Sequence, residues 1–270
     1  MDITTRPPRL QLFALLLCGL ALGACIPGFA PTPTPMPSLE LIQRTPAAPC
    51  VAVLLPGMLD SAETFRRQGF AEEAATKAPG LDLVAADAHF GYYRKNMILT
   101  RLNEDLVGPL QAEGTRVWLV GTSLGGIGSL LYARGQNGEQ RVPGAEELEG
   151  IVLLAPFLGE DELIEEIEAA GGPLSWSPPS AARGEAGSRA AVGEAAWIWM
   201  LDWYRSGDPK PRIVLGWGEK DDLAPAATLA AELLPARDVF KRPGGHDWDV
   251  WRALWSDMLD AGVFAGCSAG

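Results

Sequence analysis

One serine in the chain stands in a setting that can make it a nucleophile. Gly121-Thr122-Ser123-Leu124-Gly125 fits a sharp strand-to-helix turn that lifts the serine hydroxyl to the top of a sheet. The glycines on either side permit a strained backbone and a close helix approach. Five residues alone are a weak signal. The context strengthens it: Arg116–Val120 reads as a buried strand, and Leu124–Arg134 reads as a helix. A serine hydroxyl needs a base, and the chain has only two histidines. His246, in Gly244-Gly245-His246-Asp247-Trp248, falls on a loop after the last expected strand and before the last expected helix. His89, in Asp87-Ala88-His89-Phe90-Gly91, follows the second expected strand. A structural role suits His89 best, with lining of the site mouth as the alternative.

A base that becomes charged needs an acid to orient and stabilise it. Asp221 and Asp222 both follow the expected strand Arg212–Gly216. Asp221, three residues after Gly218 and four before Pro225, has the better spacing; Asp222 is the fallback, or a cap for the next helix. Leu54-Leu55-Pro56-Gly57-Met58-Leu59 follows the first expected strand. A tight turn at Gly57 can aim the Met58 amide, beside that of Leu124, at a developing oxyanion. Together these groups could carry acyl transfer through a covalent serine intermediate.

The elements that must position them follow from hydrophobic patterning. Short apolar runs at Cys50–Leu55, Leu81–Ala86, Arg116–Val120, Ile151–Leu154, Arg212–Gly216 and Asp238–Lys241 read as strands buried on both faces. Helical stretches are expected at Ala62–Lys77, Met97–Ala112, Leu124–Arg134, Ala226–Leu233 and Trp248–Leu259. The alternation predicts a parallel sheet covered by helices. Leu158 to Pro209 is too long for one crossover and predicts a cap over the carboxyl ends of the strands, where open α/β sheets bind ligands. Trp197, Trp199 and Trp203 in it could offer apolar area to a substrate, although packing onto the body suits at least one of them.

The order Ser, Asp, His is that of α/β-hydrolases. Cys50 to Leu259 resembles that family, a three-layer sandwich with a mostly parallel sheet of about six main strands. The stretch from Gly244 to Trp251 is similar to the histidine loop of esterase D-like proteins, which include S-formylglutathione hydrolases, enterochelin esterases and mycolyltransferases. The resemblance implies hydrolysis of carboxylic esters or thioesters without cofactor or metal. The chain departs from the family in having little room for two antiparallel strands before Cys50, which predicts a reduced sheet, and in opening its oxyanion turn with Pro56-Gly57. Two other readings keep the same residues: an acyltransferase, and a non-catalytic binding protein on the same fold. A dehalogenase would want Asp at position 123, and a dienelactone hydrolase would want Cys.

The formal charge of −12 argues against nucleic-acid binding; whether a protein partner exists is not legible. Arg6, Arg9 and the apolar run Leu10–Leu22 read as a signal segment over residues 1–24. Leu22-Gly23-Ala24-Cys25 resembles a bacterial lipoprotein box with Cys25 lipidated, which would place the protein in the cell envelope, attached to a membrane and facing the periplasm or the exterior. A plain secretory signal is the alternative. Residues 25–49 are rich in proline and predict an extended spacer, with a short edge strand over Leu39–Gln43. The hydrolase domain then spans 50–270, with its cap at 158–209. In the implied fold Cys50 opens a central strand at the bottom of the sheet, and the last helix returns the chain there. A disulfide between Cys50 and Cys267 is expected, with free thiols as the alternative.

Overall fold

The computed structural model describes residues 31–42, 50–137, 140–180, 183, 188–207 and 210–267. Strands β1 (Ser38–Glu40), β2 (Cys50–Leu55), β3 (Leu81–Ala86), β4 (Arg116–Thr122), β7 (Gly150–Leu154), β8 (Arg212–Gly218) and β9 (Val239–Arg242) form one sheet in the order β1-β3-β2-β4-β7-β8-β9. β1 runs antiparallel at the edge, and every other pairing is parallel. The two-residue strands β5 (Gln136–Asn137) and β6 (Gln140–Arg141) make a separate hairpin. This is the α/β-hydrolase architecture, with one antiparallel strand before β2 among the described residues.

All residues of β2, β3 and β7 are buried. That is the reason these strands read as mostly Val, Leu, Ile and Ala runs, with the buried Asp82 in β3 as the polar exception. Helices cover both faces: α1 (Ala62–Arg67), α2 (Phe70–Lys77), α3 (Phe90–Arg94), α4 (Ile98–Leu102), α5 (Gly108–Ala112), α6 (Leu124–Ala133), α7 (Asp161–Ala169), α8 (Arg189–Arg205), α9 (Ala224–Ala231) and α10 (Trp248–Asp260). Two glycines show which helix covers which face. A Cβ on Gly121 would point into the backbone of α6, 2.2 Å from the Gly125 carbonyl oxygen. A Cβ on Gly216 would meet Met258 and Leu254 of α10. Gly216 pairs with Leu154, which pairs with Thr122, the residue after Gly121. Neighbours along a strand point to opposite faces, so α6 and α10 lie on opposite sides of the sheet. On the α10 side Phe70 of α2 stacks on Trp255 at 5.2 Å.

Several expected boundaries shift for local reasons. The expected helix Ala62–Lys77 is two helices, because Gly69 takes a left-handed conformation (φ 76°) between them. The expected Met97–Ala112 helix is α4 and α5 joined by a π-helical turn at Asn103–Val107. Helix α3 was not expected at all.

The expected disulfide is present. Cys50 and Cys267 are bonded, with Cα atoms 5.3 Å apart and a sequence separation of 217. The expected spacer is in part something else. The positions expected as a signal, 1–24, as well as Cys25 and positions 26–30 and 43–49, lie outside the described residues, but residues 31–42 are docked on the body. The Pro31 carbonyl accepts from His89 Nε2 at 3.0 Å, and the Pro33 carbonyl accepts from the Tyr92 hydroxyl at 2.8 Å. The Met36 amide donates to Asp105 Oδ2 at 2.7 Å, and the Met36 side chain is buried. The prolines that exclude a helix leave carbonyls free to accept from the body, so this stretch serves as a strap ending in β1.

Candidate active site

Ser123 sits between β4 and α6 with φ 50° and ψ −113°, a positive φ rare outside glycine. The turn is held from three sides. The Ser123 amide donates to the Leu154 carbonyl at 2.9 Å, and the Gly126 and Phe157 amides donate to the Ser123 carbonyl at 3.0 and 3.1 Å. Gly125 allows α6 to press on β2: a Cβ there would lie 2.1 Å from the Leu55 carbonyl oxygen. That contact brings the turn after β2 beside the serine, since a Cβ on Gly57 would stand 3.6 Å from the Ser123 Cβ. Met58, next in the chain, and Leu124, first residue of α6, therefore flank Ser123.

His246 Nε2 lies 2.9 Å from Ser123 Oγ, and His246 Nδ1 lies 2.8 Å from Asp221 Oδ2. Asp221 is buried, and its Oδ1 accepts from the Leu223 amide at 2.8 Å. A carboxylate only accepts, so Nδ1 carries the proton and Nε2 is left to accept from the serine hydroxyl. Asp222 is exposed to solvent, and it does not cap α9: the residue before that helix is Leu223, with no side-chain cap bond. The two loops carrying acid and base are stitched by backbone. Glu219 N donates to the Arg242 carbonyl and Lys220 N to the Gly244 carbonyl, both at 2.8 Å. Gly218 must be glycine for this approach, because a Cβ would fall 2.5 Å from the Gly244 oxygen. Asp247 caps α10 by accepting from the Val250 amide. Trp251 buttresses the imidazole edge-on at 4.9 Å.

Asp60 lies between the two halves of the site. Its amide donates to the Gly57 carbonyl, closing the turn, and its Oδ1 accepts from Trp248 Nε1 at 3.3 Å. Burial pushes the Asp60 carboxyl above the usual range, opposed by the Trp248 bond and, more weakly, by Thr64, Arg67 and His246.

A cavity of about 420 Å³ opens at Ser123. Phe90, Tyr93 and Arg94 of α3, Ile98 and Leu99 of α4, and Ile127 and Leu131 of α6 form its walls. Phe157 and the start of α8, Ser188 to Val192, close it, and Met58 lies at its rim. Its surface is mostly apolar. A larger groove of about 750 Å³ between α2 and α10 carries Glu72, Glu73, Lys77, Asp249 and Arg252 but no member of the Ser–His–Asp chain.

Of the candidate substrate contacts, His89 takes the structural role that suited it best, not the alternative place at the site mouth, and Trp197 and Trp199 lie away from the cavity. His89 is buried; it caps α3 by accepting from Gly91 N at Nδ1 and donates from Nε2 to Pro31, so both nitrogens are occupied away from the cavity. Trp197 is fully buried, with Nε1 donating to the Leu158 carbonyl at 2.9 Å, and Trp199 packs against the core. Trp203 donates to the Pro211 carbonyl. The cap tryptophans pin the two ends of the insertion to the body, and the cap reaches the cavity through the first turn of α8 instead. The aromatic run Phe90-Gly91-Tyr92-Tyr93 just beyond β3 is the sequence signal for this wall of the cavity.

The fold is that of the α/β-hydrolases, and it brings Ser123, His246 and Asp221 into one hydrogen-bonded chain. No protein-family model and no curated protein matches the sequence. Among solved structures it is similar to Est1E from Butyrivibrio proteoclasticus (13% identity, 81% of this chain and 88% of that one, TM-score 0.53). It is also similar to an S-formylglutathione hydrolase from Staphylococcus aureus (14%, 79% and 81%, 0.51) and to a ferulic acid esterase (15%, 78% and 84%, 0.51). At these identities the likeness establishes the fold.

Proposed function

We propose that the chain is a serine hydrolase that cleaves carboxylic esters through an acyl-enzyme on Ser123. The observation that carries this reading is the hydrogen-bonded chain from Asp221 through His246 to Ser123 Oγ at the mouth of an apolar cavity. In the proposed reaction Ser123 Oγ attacks the ester carbonyl while His246 Nε2 takes its proton. Asp221 holds the imidazole and stabilises its charged form. The Met58 and Leu124 amides donate to the oxyanion. The leaving alcohol takes the proton from His246, and water then repeats the sequence to release the acid. Esterases among the proteins of similar fold accord with an ester substrate. The test is labelling by a fluorophosphonate probe: folded wild-type protein should label, and Ser123→Ala should not. Folded wild type that does not label would favour a non-catalytic binding protein.

We further propose that Cys25 is lipidated and that the protein faces the periplasm or the exterior of a bacterial cell. Leu22-Gly23-Ala24-Cys25 supports the first point, and the Cys50–Cys267 disulfide accords with an oxidising compartment. The mass of the N-terminal peptide from membrane-extracted protein tests the modification.

A further inference from the structure

The acyl cavity and the entry point of the N-terminal strap share one wall, helix α3. Phe90, Tyr93 and Arg94, spaced to lie on one face, line the cavity. His89 and Tyr92, on the other side, hold Pro31 and Pro33, and the Lys95 amine donates to Thr32 Oγ1 at 2.8 Å. Pro31 is thus separated from the cavity by about one helix diameter, ~10 Å. Cys25 is six residues before Pro31. Even a fully extended chain gives those six residues a reach of only ~20 Å. A body of this length has a radius of gyration of about 17 Å, hence a width of ~45 Å. A leash shorter than the body, attached beside the cavity, keeps the cavity side toward whatever holds Cys25.

That side also carries exposed apolar groups. Met58 is 44% exposed and Leu59 is 77% exposed, both on the turn beside Ser123. Leu59 is the most exposed large apolar side chain among the described residues.

We propose that the cavity mouth rests on the bilayer that anchors Cys25, with Leu59 entering it, and that the substrate is an acyl ester drawn from that bilayer. This rests on both readings above, the serine hydrolase and the lipid anchor. At ~30 Å³ for a water-sized group, the cavity of about 420 Å³ holds an acyl chain of roughly a dozen heavy atoms. The acyl carbon becomes bonded to Ser123 Oγ as its bond to the alcohol oxygen breaks. The alcohol leaves with the proton held by His246, and water releases the fatty acid.

The test uses full-length lipidated protein in vesicles of phosphatidylethanolamine and phosphatidylglycerol. Two probes are compared: water-soluble p-nitrophenyl acetate and 4-methylumbelliferyl laurate dissolved in the vesicles. One variant carries about 30 Gly/Ser residues inserted after Gly28, which adds a mean reach of ~30 Å. Effective concentration falls roughly as the −3/2 power of tether length, so laurate turnover should drop on the order of tenfold while acetate turnover stays at the native rate. Leu59→Glu on the native leash should lower laurate turnover as well. Native laurate rates in both variants would overturn the proposal. A photocrosslinking side chain at position 59 that joins a protein instead of a phospholipid in cells would also overturn it. Failure of the underlying readings looks different: acetate turnover surviving in Ser123→Ala refutes the serine hydrolase, and an N-terminal peptide without lipid refutes the anchor.

Discussion

Replacing Gly125 by alanine would place a Cβ 2.1 Å from the Leu55 carbonyl oxygen and 2.6 Å from the carbonyl carbon. An ordinary C···O contact needs ~3.3 Å, so α6 and the end of β2 must part by roughly 1 Å. Both partners are backbone, and no side-chain rotamer can absorb the strain. The two proposed oxyanion donors stand on opposite sides of this contact: Leu124 opens α6, and Met58 follows Leu55 by three residues. Parting them spoils the alignment of both amides with Ser123. Loss of one oxyanion donor lowers kcat by about 10²–10³-fold, close to 3–4 kcal/mol of transition-state stabilisation. Overpacking costs about 1–3 kcal/mol of stability. The assay is kcat on p-nitrophenyl acetate, normalised to sites titrated with a fluorophosphonate, together with the thermal midpoint. Gly266→Ala, whose Cβ would have nothing nearer than Arg116 Nη1 at 3.6 Å, is the control and should match wild type. A Gly125→Ala protein with wild-type kcat per titrated site would refute the reasoning, whatever its melting temperature.

Ser123→Ala and His246→Ala should each lower turnover by about 10⁴–10⁶-fold, and the double variant should be little worse than either, because the groups act as a unit. Additive losses would show that they do not. Asp221→Asn should lower kcat by about 10⁴-fold, whereas the exposed Asp222→Asn should stay near wild type; a reversed pattern would move the acid to Asp222. Burial raises the Asp60 carboxyl above its unfolded value, so ionising it is disfavoured in the fold and stability is lost as pH rises through the folded value. The melting temperature of Asp60→Asn relative to wild type should therefore climb between pH 3 and pH 7, since Asn keeps the acceptor for Trp248; a flat difference would refute this. Cys267→Ser should lower unfolding stability in urea by up to about 5 kcal/mol, the chain-entropy ceiling for a separation of 217 residues, and an unchanged midpoint would argue against the bond in solution.

The Ser–His–Asp arrangement was legible because each of its groups is carried by a short loop whose neighbours are forced by local geometry. Gly121 and Gly125 permit close backbone contact, Gly218 lets the acid loop touch the histidine loop, and Asp247 caps the helix after the base. These requirements sit within a few residues of Ser123, Asp221 and His246, so sequence spacing records them. The cavity wall left a fainter record. Helix α3 has five residues, less than two turns, and a stretch that short shows no periodicity that separates it from a loop. The tryptophans of α8 misled for the opposite reason. Large apolar residues on a helix look the same in sequence whether they meet a substrate or the core, and only the tertiary partners of the Trp197 and Trp203 indole N–H groups, Leu158 and Pro211, distinguish the two.

The strap changes what the proline-rich stretch can do. As a free spacer, residues 25–49 would let the domain turn in any direction above a surface. With Pro31, Pro33 and Met36 bonded to His89, Tyr92 and Asp105, the orienting length contracts to the few residues before Pro31. The histidine whose sequence position suggested a place at the site mouth therefore acts on the site from behind. It caps the helix that supplies Phe90 and Tyr93 to the cavity and ties that helix to the chain leading back to Cys25. On the proposed anchor and acyl-enzyme, position relative to a membrane and shape of the cavity would both depend on the same five-residue helix, so a change at His89 should disturb both while leaving the hydrogen-bonded chain from Ser123 to Asp221, built on other loops, in place.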